Sequence, residues 1–595
     1  PPAEPAAAAV PELVWGECFD EGVPGGPPPA EEPAPGEEAA AGEALPPGED
    51  LPPVPTFECA EAVVPLDHDE PDGATTTLAL MRRLADDRAR RIGSLFVNPG
   101  GPGASGIGLV PFLDAVYPRE VLERFDVVGF DPRGIGESDG LVCFDTYEEL
   151  FEFYRYLPTL PVTPVEERQT AAAFAGLAQR CAERDEPVLQ HMSTGDVARD
   201  LDLLRQAVGD ERLTYAGYSY GSQIGTTYAN LFPDRVRAVV LDGVLDPVAW
   251  TTGVRYRPGG TGADWARRSA LPMTARIGSA EGAWATLQQF FALCRQAGTE
   301  RCALADDPRG RFERLAARLR ERPVELPLGG GRFQRVGYGE LVAVTLGALY
   351  DPAAWSDYAD LVVEVERFGD PAAAGRAYRD LADRLGLDVP EEPGNGQPGE
   401  EPPTEEPVFQ TFEGAEGVVC SDSDNPRSSR WWSWAARETD RRAPYFGRAW
   451  TWLSVACASW PARAVGDRYA GPWDARTANP VLLVGNTYDP ATPYSGARTV
   501  SRLLPDSRLL TLQGWGHVAL GQSACIDTAV AAYLLEGDLP AAGTVCRPDV
   551  LPFADPEEAA PGEGAAARTA QSTGAEDADR AAARRAVLRS VPLPR

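Results

Sequence analysis

The chain has no lysine: all 55 of its basic residues are arginine, set against 89 acidic ones, for a formal net charge of −34. So acidic a surface argues against nucleic acid and anionic membranes as partners, because both carry the same sign of charge. Histidine is almost as scarce, at three, and no C-x-x-C occurs among the ten cysteines. Zinc sites need clustered thiolates and imidazoles, so no metal is expected, and no cofactor motif is found either. No apolar run is long enough to span a bilayer. What is present is a 43% share of hydrophobic residues, enough for a sizeable core, in 595 residues, too many for one compact unit.

The ten cysteines fall into successive pairs: Cys18 with Cys59, Cys143 with Cys181, Cys294 with Cys302, Cys420 with Cys457, and Cys525 with Cys546. They read as disulfides rather than buried thiols, which places the chain in an oxidising compartment, secreted or otherwise extracytoplasmic. Ten cysteines permit many connectivities, and the sequential one is the working expectation. The start at Pro1-Pro2-Ala3-Glu4 shows no signal peptide, which reads as a mature or trimmed chain.

Composition divides the chain. Residues 1–58 are rich in Pro, Ala and Glu, and the stretch 22–32 cannot bury enough apolar surface to order itself, so a disordered segment tied at its base by a disulfide is expected. From 59 to 245, short apolar strands alternate with helical patterns, as in Gly93–Asn98, Phe125–Phe130, Asp196–Arg205 (capped by Ser193 or Thr194) and Arg237–Gly243. That alternation implies a mostly parallel sheet and an α/β fold. From 246 to 472 helical spacing dominates, with many Trp, Tyr and Arg, which reads as an inserted helical cap carrying a disordered run near 389–407. Strands resume in 473–549, at Val481–Gly485 and Ser507–Leu512, and 550–595 is a flexible tail.

The chemistry centres on Gly217-Tyr218-Ser219-Tyr220-Gly221, a G-x-S-x-G between a β-prone run and a helical one. Strand, tight turn and helix lift a serine Oγ clear of the backbone at a helix N-terminus, whose dipole favours developing negative charge. A serine nucleophile needs a base oriented by a carboxylate. Of the three histidines, His68 and His191 read as surface or capping residues, and His517, in the loop Gly514-Trp515-Gly516-His517, is the base. Asp489 ends an earlier strand and is the acid, with a plain Asp-Pro turn as the competing reading. The order Ser219, Asp489, His517 is that of α/β-hydrolases. An oxyanion needs two backbone donors: the N–H of Tyr220, and one from the turn Pro99-Gly100-Gly101-Pro102-Gly103, assigned to Gly101 with Gly100 as the alternative. Arg133, in Asp131-Pro132-Arg133-Gly134, reads as structural, paired with a carboxylate under the site.

These motifs, with Asp489-Pro490, Thr492-Pro493 and Gly516-His517, resemble the secreted tripeptidyl aminopeptidases, relatives of proline iminopeptidases within the α/β-hydrolase fold. The resemblance runs from about Cys59 to Asp549. It implies an α/β-hydrolase fold with an inserted helical cap, and a serine exopeptidase that releases short peptides, often tripeptides, from free N-termini. The chain departs from proline iminopeptidases in having Asn98-Pro99 where they carry a histidine before the glycines. A peptide α-amine is largely cationic near neutral pH. An enzyme that measures from it needs a carboxylate at a fixed distance from Ser219; Asp422, two residues beyond Cys420, is the candidate, against the reading of one more solvated acid. A secreted esterase or lipase with the same triad, and a non-catalytic hydrolase-like binding protein, are the alternatives.

Overall fold

The computed structural model describes residues 8–18, 55–184, 186–253, 271–329, 332–367, 410–461 and 468–554. The low-complexity runs 22–32 and 389–407, and the tail from residue 555, lie outside them. Twelve strands are described: β1 Gly16–Glu17, β2 Phe57–Pro65, β3 Thr75–Arg83, β4 Gly93–Asn98, β5 Phe125–Phe130, β6 Leu213–Tyr218, β7 Val236–Asp242, β8 Val324–Gly329, β9 Arg332–Val336, β10 Val481–Tyr488, β11 Ser507–Trp515 and β12 Val545–Cys546. Ten of them form one sheet in the order β1-β2-β3-β5-β4-β6-β7-β10-β11-β12. The β1-β2-β3-β5 pairings are antiparallel and all the others parallel. Every residue of β4, β5 and β6 is buried. Strands covered on both faces favour apolar residues at consecutive positions, which is why these segments read as mostly apolar runs, with Ser94, Asn98, Asp126 and Thr214 as buried polar exceptions, rather than as alternation.

Four helices matter below: α1 Thr194–Ala207, α2 Gly221–Leu231, α3 Tyr338–Tyr350 and α4 Gln410–Asp422. Of the two caps the sequence offers for α1, Ser193 is the one used. Its hydroxyl accepts from the Asp196 N–H while the Asp196 side chain reaches back to the Ser193 backbone.

The chain leaves the sheet after β7 and returns at β10, which pairs directly with β7 through Leu482 and Val240. Between them lies a mostly helical region with a core of its own, built on Phe290, Phe312, Leu346, Trp355 and Tyr358. It departs from the expected helical cap in two ways. Strands β8 and β9 form an antiparallel hairpin, in a stretch whose Gly329-Gly330-Gly331 favours a turn. Helix α4 does not join the cap core: Val418 and Cys420 pack with Leu141, Met192, Ala456 and Cys457 in the main α/β core.

The N-terminal segment also departs from expectation, since ordered structure begins before Cys59. Strand β1 pairs with β2, the Trp15 ring lies 3.9 Å beneath the Arg82 guanidinium, and Cys18 is bonded to Cys59. A disulfide, a short strand pairing, a cation–π contact and the packing of Leu13 and Trp15 on the core hold a segment whose composition alone argues for disorder. All five sequential cysteine pairs are bonded, and no described cysteine is free. No helix among the described residues is long and apolar enough to cross a membrane.

Candidate active site

The elbow after β6 holds Ser219 at φ 54°, a left-handed conformation unusual for a residue with a side chain. Its glycines are required by contact. A Cβ on Gly217 would fall 2.3 Å from the Gly221 carbonyl oxygen, and one on Gly221 would fall 2.5 Å from the Asn98 carbonyl oxygen. The Ser219 N–H donates to the Asp242 carbonyl at 2.9 Å, tying the turn to the end of β7.

His517 follows β11 on a loop flanked by two residues of positive φ, Gly516 and Val518. Its Nδ1 lies 3.0 Å from both Asp489 oxygens, and both side chains are fully buried. Asp489 also accepts from the N–H groups of Ala491 and Thr492 at 2.8 Å and from Thr492 Oγ1 at 2.9 Å. These donors aim the carboxylate at the imidazole. The histidine loop is held from three sides. Asn486 Nδ2 donates to the Gly516 and Val518 carbonyls. Asp242 accepts from Ala519 and Leu520. The His517 N–H donates to the Tyr350 carbonyl at 2.9 Å, at the end of α3. Burial pushes the Asp242 carboxyl up to about 6.

His517 Nε2 is buried and has no partner, so the ring keeps one nitrogen for a further proton. Around Gly243 the parts converge: a Cβ there would lie 3.1 Å from Thr492 Oγ1, 3.2 Å from His517 Cε1 and 3.4 Å from the Ser219 nitrogen. Ser219 is therefore brought together with Asp489 and His517, some 300 residues further along the chain.

The glycine turn after β4 packs onto the nucleophile. A Cβ on Gly100 would fall 2.9 Å from both Ser219 Cβ and the Tyr220 nitrogen. The Gly100 N–H is already given to Asn98 Oδ1 at 3.0 Å, which counts against Gly100 as an oxyanion donor. Asp131 braces the same loop by accepting from Ser105 Oγ at 2.7 Å and from the N–H groups of Ile107 and Glu137; burial lifts its carboxyl to about 6.

The other expected residues lie deeper. Arg133 pairs with Asp200 of α1 through two contacts of 2.6 and 2.7 Å, both side chains fully buried. His68 joins them, with Nε2 3.0 Å from Asp200, so it is part of a buried ion cluster rather than a surface residue. Asp422 is 2% exposed. One of its oxygens accepts from the Thr194 N–H at 2.7 Å, the other from Thr194 Oγ1 and from Trp250 Nε1. Burial pushes its carboxyl up to about 6. It is not a solvated acid, and three of the roughly four acceptor positions of its carboxylate are already taken.

Tyr350, Thr492, Asp242 and Thr194 are the residues that sequence reasoning missed. Asp242 and Thr492 sit beside motifs that were recognised. Tyr350 carries no local signal, and Thr194 was legible only as a possible helix cap, because each acts through a neighbour distant in the chain. Among the described residues, the one group with metal-ligand spacing is Glu416 with Cys420 and Cys457, whose sulfurs are consumed in a disulfide.

Fold and site together define a serine hydrolase of the α/β-hydrolase class. The description "alpha/beta hydrolase fold" matches residues 93–278, and "TAP-like protein" matches residues 443–546. The tripeptidyl aminopeptidase of Streptomyces coelicolor is 30% identical over 507 residues, 83% of this chain and 84% of that one. Serine protease Hip1 of Mycobacterium tuberculosis is 31% identical over 510 residues, 82% of this chain and 87% of that one. A protein named Carboxylesterase B, from the same organism, is 30% identical over 507 residues, 83% of this chain and 87% of that one. The chain belongs to the tripeptidyl aminopeptidase family.

Proposed function

We propose that the chain is a secreted serine exopeptidase that releases short peptides, tripeptides foremost, from free N-termini through an acyl-enzyme. The observation that carries this reading is the buried Asp489–His517 pair beside an elbow serine, in a chain related over 83% of its length to an enzyme named tripeptidyl aminopeptidase. Ser219 Oγ attacks the scissile carbonyl while His517 Nε2 takes its proton. Asp489 fixes the Nδ1–H tautomer and stabilises the imidazolium. The Tyr220 and Gly101 N–H groups receive the oxyanion, His517 returns the proton to the leaving amine, and water hydrolyses the ester in a second pass. The five disulfides support an oxidising compartment outside the cytoplasm, the condition for secretion. The substrate ammonium is to be met by a carboxylate of the inserted region.

The relative named Carboxylesterase B favours a second reading, an esterase with the same machinery. A screen of chromogenic mono-, di- and tripeptides beside short-chain esters separates the two. A kcat/KM highest for tripeptides supports the exopeptidase, and esters cleaved far better than any peptide overturn it.

A further inference from the structure

We infer that Asp422 is a positioning residue for the oxyanion hole: through Thr194 it anchors the Tyr220 side chain, and so sets the direction of the Tyr220 backbone N–H. This rests on the reading of Tyr220 as an oxyanion donor.

The bonds form a directed chain. An ionised carboxylate only accepts, so the single hydroxyl proton of Thr194 goes to Asp422. The Thr194 oxygen is then left to accept the Tyr220 O–H, 2.7 Å away. Trp250 Nε1 donates to the same Asp422 oxygen at 2.8 Å, and its ring lies 5.4 Å from the Tyr220 ring. Tyr220, Thr194, Asp422 and Trp250 are all buried, so water does not compete for these bonds. The Thr194 N–H, one of the unpaired donors of the first turn of α1, adds a second bond to the carboxylate, at a helix end that favours negative charge.

Asp422 is itself held tightly. Two residues before it, Cys420 is bonded to Cys457. Just after it, Ser423 Oγ donates to the Trp250 carbonyl at 2.7 Å and the Asp424 N–H to the Thr251 carbonyl at 2.9 Å. The two chain segments are thus zipped side by side, and the carboxylate stands as a fixed post. Tyr220 lies between the strained Ser219 and the first turn of α2; the carbonyl of the Ser219–Tyr220 peptide accepts from the Ser222 N–H and hydroxyl, and the phenol's bond to Thr194 adds a side-chain anchor to that backbone. Hydrogen bonds weaken steeply as their angle closes, so a modest rotation of this N–H costs transition-state stabilisation.

The test uses the full chain and four variants: Asp422→Asn, Thr194→Val, Thr194→Ser and Tyr220→Phe. Each is assayed on a tripeptide chromogen, its N-acetylated twin and a p-nitrophenyl ester, and titrated with a peptidyl boronate as transition-state analogue. Asp422→Asn, Thr194→Val and Tyr220→Phe are expected to lower kcat about 10–100-fold on every substrate the wild type turns over, less than the ~10²–10³ lost with a whole oxyanion donor. KM should stay within about threefold, boronate affinity should fall in parallel with kcat, and Thr194→Ser should restore it. Unchanged kcat in Asp422→Asn and Tyr220→Phe overturns the inference. So does a loss confined to KM of the free-amine peptide, which would return Asp422 to ammonium binding. If Asp422→Asn fails to fold, Tyr220→Phe, which removes one oxygen, decides. A wild type that cleaves only the ester overturns the exopeptidase reading while leaving the anchoring measurable on ester kcat.

Discussion

The inserted region buries more aromatic bulk than the sheet, yet the sheet places the reacting side chains. In the sheet, Asn98, Ser219, Asp242 and Asp489 all stand at or just past the ends of parallel strands, and His517 follows the end of β11. Parallel strands end on one side, so short loops from distant parts of the chain meet there without long excursions. The insertion supplies none of the three reacting side chains, yet it reaches the triad from behind: the Tyr350 carbonyl receives the His517 N–H, and the Tyr350 ring sits 5.0 Å from the imidazole, edge to face. The sheet thus places the reacting side chains, and the insertion helps to hold the histidine loop in line with them.

Breaking the sheet's share gives the largest effect. Ser219→Ala or His517→Ala should lower kcat by roughly 10⁴–10⁶ with the fold intact. Single-turnover assays beside circular dichroism check this, and retention of more than a tenth of wild-type activity would remove these residues from the mechanism.

The insertion's share is read on the substrate. Acetylating the N-terminus of a tripeptide chromogen should cost about 30-fold to several thousand-fold in kcat/KM, the loss of a desolvated charge pair of about 2–5 kcal/mol. Equal values for the two substrates would make the enzyme an endopeptidase or esterase.

Disulfides sharpen the contrast in stability. Cys143–Cys181 in the core closes 38 residues and Cys294–Cys302 in the insertion closes 8. On loop entropy, replacing the first pair by serine should cost about 4 kcal/mol and the second about 2.5 kcal/mol. Denaturant melts of the two double variants give both figures, and the reverse order would show that native-state contacts outweigh loop closure.

The smallest expected effect is shared by both regions. Burial lifts Asp131, Asp242 and Asp422 to about 6 and Glu413 to about 7. Each takes up its proton in the folded chain while the unfolded chain is still ionised. Between about pH 7 and pH 4 the folded state therefore binds more protons, and stability rises as pH falls. Asp200, whose burial is outweighed by Arg133 and His68, is lowered instead and pulls the other way in stronger acid. Tm should be higher at pH 5.5 than at pH 7.5; a lower value would mean that other groups dominate the linkage.

The sequence by itself determined the parts whose reasons are local. The buried strands had to be mostly apolar along consecutive positions, Gly217 and Gly221 had to lack side chains, and Ser219, Asp489 and His517 had to end or follow strands in that order. All of this can be read within a few residues of each motif. The rank of the cysteine pairs was legible too, because neighbours along the chain proved to be neighbours in space. Only the tertiary structure decided the rest. Asp422 looked like an acid free to meet a substrate amine, and folding spent its oxygens on Thr194 and Trp250, 228 and 172 residues away. Residues 8–18 looked disordered by composition, and a bond from Cys18 to Cys59 with the Trp15–Arg82 contact ordered them. Helix α4 looked like cap and was claimed by the core. In each case the deciding partner lies far along the chain, and a hydrogen bond or packed face between distant segments leaves no periodicity or motif in either one alone.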